Sequence, residues 1–115
     1  MHSETPNGHL SDGDPVSAKD MAAALAAREF VYTDGATQRF DVTGATTYVD
    51  RGRSTHGEWS ALGDGRFSSF WPPDYRANYD LHWIIQEGTL VGLRFREDQS
   101  GRTFDGLYSV AIARE

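Results

Sequence analysis

The chain contains no cysteine, a single lysine and no long apolar run, and each shortage excludes a class of structure or site. Without cysteine there is no disulfide framework, thiol nucleophile, iron–sulfur ligation or cysteine-rich zinc site. No run of 18 apolar residues is present, and Met1 to Lys19 has neither the basic start nor the apolar core of a signal peptide. We therefore expect no transmembrane helix and a cytoplasmic location.

Positive charge is also scarce. Eleven Lys and Arg residues face seventeen Asp and Glu residues, which gives a formal net charge of -6. Such a balance provides no general attraction to nucleic acid or to anionic lipid, so we expect neither a nucleic acid nor a membrane as partner. With 115 residues, the chain is long enough for one core and too short for two.

The N-terminal part differs in composition from the rest. Residues 1–16 are polar and nearly free of bulky apolar groups, which predicts a disordered arm, and residues 17–115 are then a single domain. A helix over residues 17–28 follows from the alanine-rich run, with Ser17 as its cap and Asp20 in a start that resembles a capping box.

From Glu29 onward, short β-branched and aromatic runs alternate with Gly-containing turns. Turns such as Asp34-Gly35 connect antiparallel neighbours, so the pattern predicts an all-β, up-and-down meander. Eight strands would close most economically into a barrel, which is just wide enough to hold one small ligand. The predicted strands are 29–33, 37–42, 45–50, 54–61, 66–71, 76–85, 89–97 and 102–113.

Aromatic residues concentrate between Trp59 and Trp83, where seven of the fourteen lie and the three tryptophans are twelve residues apart. This spacing suits consecutive strands that each contribute one tryptophan. Alternation along the sixth strand places Trp83 inside and His82 outside, unless a bulge at Pro72-Pro73 exchanges the two faces. The same alternation gives these candidates for the lining of a cavity: Tyr32, Trp59, Ser69, Trp71, Tyr79, Trp83, Phe95 and Tyr108.

Two interpretations of these aromatic residues remain open. They can simply fill the core of a small barrel, which is the common use of such side chains. Alternatively, the N–H groups of tryptophan and the hydroxyls of tyrosine find partners in a water-filled or ligand-filled cavity. The second interpretation predicts a pocket for a small organic molecule.

His56 and His82 are the histidines of the predicted folded domain. Each is either an ordinary strand residue or a general acid or base, for which Tyr79 is a third candidate catalytic residue. Two histidines without metal-ligand spacing predict no metal site, and the sequence shows no cofactor motif.

Four short elements accompany the predicted helix and eight-stranded meander: Asp34-Gly35, Gly57-Glu58-Trp59, Asp64-Gly65-Arg66-Phe67 and Gly101-Arg102-Thr103-Phe104-Asp105-Gly106. In these features the chain resembles the calycin superfamily, which includes the lipocalins and small bacterial MoaF-like proteins. Lipocalins carry their Gly-x-Trp motif on the first strand, whereas Gly57 and Trp59 fall on the fourth predicted strand. The resemblance implies a barrel that binds small organic ligands, and it implies no catalytic residue.

Three functions therefore stay open. The first is a barrel that binds a hydrophobic or aromatic small molecule. The second is a cofactor-independent enzyme, such as an isomerase, cyclase or decarboxylase, that uses the same cavity with a histidine or tyrosine as acid or base. The third is a module whose exposed Trp71 to Tyr75 corner binds a protein or a sugar. A homodimer is an ordinary expectation for any of them.

Overall fold

Eight strands pair only with their sequence neighbours, and pairing of the last strand with the first closes the barrel. The computed structural model describes residues 10–112, so residues 1–9 of the predicted arm lie outside the described residues. The prediction of an eight-stranded antiparallel barrel with an N-terminal helix is confirmed. The strands are β1 (Phe30–Tyr32), β2 (Thr37–Phe40), β3 (Ala45–Asp50), β4 (Arg53–Ala61), β5 (Arg66–Trp71), β6 (Tyr75–Gln86), β7 (Thr89–Glu97) and β8 (Thr103–Ile112).

The helical segment is shorter than the predicted 17–28. It consists of a 3-10 turn, Ala18–Asp20, followed by one α-helix, α1 (Met21–Ala26). The predicted capping by Ser17 is wrong, because no side chain bonds to a backbone N–H at either helical start. The Ser17 hydroxyl instead donates to the Asp20 carboxylate at 3.0 Å, so the two side chains satisfy each other.

Packing against the barrel, rather than intrinsic propensity, holds α1 in place, since a helix of six residues is not stable alone. Its buried side chains are Met21, Ala24 and Leu25. The buried Tyr108 hydroxyl of β8 donates to the Ala24 carbonyl oxygen at 2.7 Å. We call the half of the barrel next to α1 the helix half. Within residues 10–112, no helix has the length and apolar character needed to cross a lipid bilayer.

Part of the predicted disordered arm is ordered, which corrects the expectation for residues 10–16. Strand β5 pairs with β6 only as far as Asp80, so the remainder of β6 has an unpaired edge. The arm occupies that edge through backbone hydrogen bonds of 2.8–2.9 Å to Leu81 and Trp83. Val16 is only 2% exposed and belongs to the core, which offsets the entropy lost on ordering.

Phe95 of β7 is the centre of the barrel interior. It is 1% exposed, and its ring centroid lies 5.0–6.4 Å from those of six other aromatic residues, mostly in edge or stacked geometry. Those residues are Phe30, Tyr32, Phe40, Phe67, Tyr79 and Phe104. The half of the barrel between Phe95 and α1 is filled by the apolar core, which includes Trp59 and Trp83.

Two glycines on β7 and β8 allow this crowded interior. A Cβ added at Gly92 would collide with the Gly106 carbonyl oxygen across the two strands. A Cβ added at Gly106 would lie 2.9–3.1 Å from the rings of Tyr32, Phe30 and Phe95. Gly92 therefore leaves room for the backbone of β8, and Gly106 leaves room for aromatic rings from other strands.

Replacing Tyr108 with phenylalanine should weaken the attachment of α1. The substitution leaves the Ala24 carbonyl without its donor in a buried place, which typically costs about 1–3 kcal/mol of unfolding free energy. Urea denaturation measures the change. Tyr75→Phe, at a tyrosine that is 54% exposed, is the matched control and should change stability by less than about 0.5 kcal/mol. Equal stability of Tyr108→Phe and the parent protein would contradict this role of the hydroxyl.

Candidate ligand-binding site

A cavity of about 590 Å³ opens at the end of the barrel away from α1. Its wall includes Thr33 and Asp34 in the β1–β2 turn, Thr55 of β4, and Arg102 immediately before β8. Its volume falls within the range of about 300–1,000 Å³ that is usual for sites of small organic ligands. The cavity occupies the half of the interior that the apolar core leaves empty.

Six aromatic residues surround this cavity, and we call them the aromatic belt. Ring-centroid distances of 6.5, 6.3, 5.6 and 5.9 Å connect the first five in sequence around the wall. Tyr75 completes the circle, because it faces Trp71 across the β5–β6 hairpin and lines the same cavity. In order around the wall, the belt is Trp71, Tyr48, Tyr32, Phe104, Tyr79 and Tyr75.

Gly57 of β4 determines where the indole of Trp71 lies. A Cβ added at this glycine would be 2.6 Å from Cε3 of Trp71 and 2.7 Å from the Phe70 carbonyl oxygen. The indole therefore lies directly over the backbone of β4, at a distance that no larger residue permits. This contact fixes the position of the cavity wall that Trp71 forms.

The floor of the cavity is aromatic, with two polar side chains. Below the belt, a space of about 40 Å³ is bounded by Phe40, Phe67, Phe95 and Ser69, together with Gln38. Gln38 is only 8% exposed. Sequence reasoning missed it, although its alternation with Phe40 on β2 is the signal that places it inside.

A chain of hydrogen bonds satisfies this buried amide. The Tyr32 hydroxyl donates to Gln38 Oε1 at 2.7 Å, and Gln38 Nε2 donates to Thr46 Oγ1 at 2.8 Å. The Thr46 hydroxyl in turn donates to the Arg39 carbonyl oxygen at 2.9 Å. The chain fixes the orientation of the Tyr32 ring and presents its phenol oxygen to the cavity as an acceptor.

Burial keeps the phenols of Tyr79 and Tyr32 protonated. It is the main cause that raises the pKa of Tyr79 to about 12, with neighbouring Tyr75 and Glu97 adding to the shift and Arg102 opposing it. Burial likewise raises the pKa of Tyr32, helped by the nearby Tyr48, Tyr79 and Asp34. At neutral pH both groups therefore keep their protons and are not bases; the Tyr32 proton is donated to Gln38, whereas the Tyr79 O–H is a donor beside the cavity.

The structure divides the eight predicted lining residues between the two halves of the barrel. Tyr32, Trp71 and Tyr79 belong to the aromatic belt, and Ser69 and Phe95 bound the space below it. The remaining three, Trp59, Trp83 and Tyr108, point inward but belong to the core of the helix half.

The polar tips of two of those three residues are satisfied by the protein itself. Trp59 Nε1 donates to the Asp41 carbonyl oxygen at 2.9 Å, and the Tyr108 hydroxyl donates to Ala24. Neither needs the cavity as a source of hydrogen bonds.

Both candidate histidines lie outside the cavity. His82 is half-buried on the outer face of β6, where Nδ1 is 3.1 Å from the Gly13 carbonyl oxygen and Nε2 is 3.2 Å from Asp80. His56 is exposed, with Nδ1 3.4 Å from the Thr47 hydroxyl. Trp83 points inward and is 5% exposed, so the two faces of β6 are not exchanged at Pro72-Pro73.

The rim of the cavity carries three charged residues, Asp34, Arg102 and Asp105. Asp34 accepts a hydrogen bond from the Ala36 N–H at 3.0 Å within its own turn. Asp105 accepts two from Arg94, at 2.7 and 3.0 Å. Among the described residues, no three His, Cys, Asp or Glu side chains form a group that could hold a metal ion.

Gly57→Ala should displace Trp71 from the wall. The added methyl group meets both the indole and the backbone of β5, so we expect a loss of about 1–3 kcal/mol in unfolding free energy, typical of overpacking. In protein labelled with 5-fluorotryptophan, the ¹⁹F resonance assigned through Trp71→Phe should shift most. Glu58→Ala, at the neighbouring exposed position, is the control. An unmoved Trp71 resonance in Gly57→Ala would be incompatible with the close contact.

Tyr79 should contribute to loss of stability at high pH. Its folded pKa of about 12 lies above the usual 10.0, so the unfolded chain releases this proton first as the pH rises. The contribution of Tyr79 is therefore fully present below pH 10 and is lost progressively up to about pH 12. Unfolding free energies measured across this window should fall less steeply in Tyr79→Phe. Identical slopes for the variant and the parent protein would refute the shift.

Comparisons of the chain with protein-family models, curated proteins and solved structures find no match. No ligand, activity or residue role therefore comes from a relative. The cavity, its aromatic belt and the charges on its rim are the basis for a functional proposal.

Proposed function

We propose that this protein is a small-molecule-binding β-barrel that holds a hydrophobic or aromatic organic ligand inside the aromatic belt. The observation that supports this most directly is the belt of six aromatic side chains around an open cavity of about 590 Å³, five of which form consecutive ring contacts. A core built only for stability would close this space, as it does in the helix half. Here the rings stand around the space instead of filling it.

The physical chemistry of the belt suits a flat molecule. Aromatic rings attract other rings in stacked or edge-to-face arrangements, and the belt offers ring faces and edges on every side. A ligand as large as an aromatic side chain buries about 150–250 Å². At about 25 cal/mol per Å², that area contributes about 4–6 kcal/mol before the entropic cost of association. Even before that cost, this contribution corresponds to dissociation constants of only about 40 μM to 1 mM, so weak binding is expected for a minimal two-ring ligand.

Binding is favoured over turnover by the positions of the titratable groups. His56 and His82 do not line the cavity, so neither meets a ligand there as a general acid or base. Tyr79 does line it, but its raised pKa makes it a hydrogen-bond donor at neutral pH and a poor base. An isomerase, cyclase or decarboxylase of the kind expected from a histidine is therefore the weaker candidate.

Binding of a protein or a sugar through an exposed Trp71 to Tyr75 corner is also a weaker candidate than ligand binding in the cavity. Trp71 is half-buried inside the belt, and Tyr75 forms part of the same wall, although 54% of it is exposed. The corner between them is thus the rim of the cavity. One site accounts for these residues, and a separate surface for a protein or a sugar is not needed.

The proposal includes a wider assignment. A closed, eight-stranded meander with a cavity at one end supports membership of the calycin-like barrels, including the MoaF-like proteins. We also propose a cytoplasmic location, with a small organic molecule as partner in place of nucleic acid or membrane. A homodimer formed through an outer face of the sheet is compatible with this function.

A substitution that blocks the cavity tests the function. The neutral dye N-phenyl-1-naphthylamine becomes fluorescent when buried, and it should bind to the parent protein in a saturable manner. Thr55→Trp places a bulky ring within the lining and should reduce affinity at least about tenfold, the equivalent of about 1.4 kcal/mol. Ser54→Trp, the adjacent position on the outer side of β4, should leave affinity unchanged.

Two results would contradict the function. One is the absence of saturable binding by the parent protein. The other is equal affinity in both tryptophan variants, which would place the dye outside the cavity. Circular dichroism of each variant verifies that the barrel is intact before the titration.

A further inference from the structure

Arg102 is the positively charged residue on the cavity rim, and it forms no ion pair within residues 10–112. Arg66, Arg94 and Arg96, by contrast, each pair with a carboxylate. Both acidic residues on the rim are engaged, since Asp105 pairs with Arg94 and Asp34 stabilises its own turn. Arg102 is exposed and lines the cavity.

The donors around Arg102 are suited to an anion. A guanidinium group presents five N–H donors in a planar fork that matches the two oxygens of a carboxylate. The positive charge of Arg102 lowers the pKa of Tyr79 and so opposes the effect of burial. The two side chains line the same cavity and interact electrostatically. Tyr79 keeps its proton and offers a further donor toward the cavity.

The β1–β2 turn carries the opposite charge close to Arg102, since β1 pairs with β8. Asp34 raises the pKa of both Tyr32 and Tyr48 and therefore lies beside that part of the belt. The rim thus carries a negative charge at the β1–β2 turn and a positive charge at the start of β8, on neighbouring strands. A ligand that carries one negative charge is attracted toward Arg102 and repelled by Asp34.

We propose that the ligand is a flat aromatic carboxylate, with its ring inside the aromatic belt and its carboxylate bound by Arg102. This inference rests on the proposed function and specifies the chemical class of the ligand. The ring supplies most of the affinity through burial. The carboxylate selects among ligands of the same shape.

A cationic ligand is the competing possibility, because aromatic faces also attract organic ammonium groups. The placement of charges disfavours it. Such a ligand would be repelled by Arg102, which lines the cavity and forms no ion pair within the described residues.

Three probes that share one ring separate these possibilities: 2-naphthoate, 2-naphthylmethanol and 2-naphthylmethylammonium. Titration calorimetry at low salt should show naphthoate binding about tenfold more tightly than the neutral alcohol, and the ammonium most weakly. Arg102→Gln should reduce the affinity for naphthoate to that for the alcohol. Arg53→Gln removes an exposed charge that does not line the cavity, and it should preserve the preference.

Each outcome has a distinct meaning. Equal affinity for the three probes would overturn the carboxylate inference while leaving the proposed function in place. A preference for naphthoate that survives Arg102→Gln, or a preference for the ammonium, would overturn the role of Arg102. Absence of binding by all three, together with failure of the neutral dye to bind, would instead remove the proposed function.

Discussion

The packing of Phe95 against six other rings is the contact on which both the core and the cavity depend. On one side it meets Phe30, Phe40 and Phe67, which fill the interior toward α1. On the other it meets rings of the aromatic belt, with Phe104 stacked at 5.0 Å. A single buried ring is thus the top layer of the core and the floor of the cavity. The barrel can be stable in one half because it is dense there, and open in the other because the belt is supported from below.

Small residues make this division possible. A barrel of eight strands has room for few aromatic rings in its cross-section, and most of the inward positions here are aromatic. Glycine at 57, 92 and 106 removes side chains where rings or strands approach most closely. The positions of the walls are therefore determined as much by the missing side chains as by the rings. Stability and binding share these positions, so a change at one of them affects both.

The fold was predictable because its signals are local. Tight turns and alternation determine strand order and the inward face, and Trp59, Trp71 and Trp83 all point inward as the twelve-residue spacing indicates. Alternation does not determine how far along the barrel axis an inward side chain lies. For that reason the prediction grouped Trp59 and Trp83 with a cavity that lies at the other end. Gln38 was missed although its alternation with Phe40 places it inside, because the search for lining residues followed the aromatic side chains.

The ordered arm depends on an even less local feature, the difference in length between β5 and β6. Beyond Asp80, β6 would offer free backbone donors and acceptors to any extended chain. Residues 10–16 of the same molecule occupy those groups and cover them with Val16. The segment therefore covers a stretch of β6 that β5 leaves unpaired and through which another strand could bind. A polar sequence that looks dispensable for the fold thus closes a sheet edge that would otherwise be open to strand exchange and aggregation.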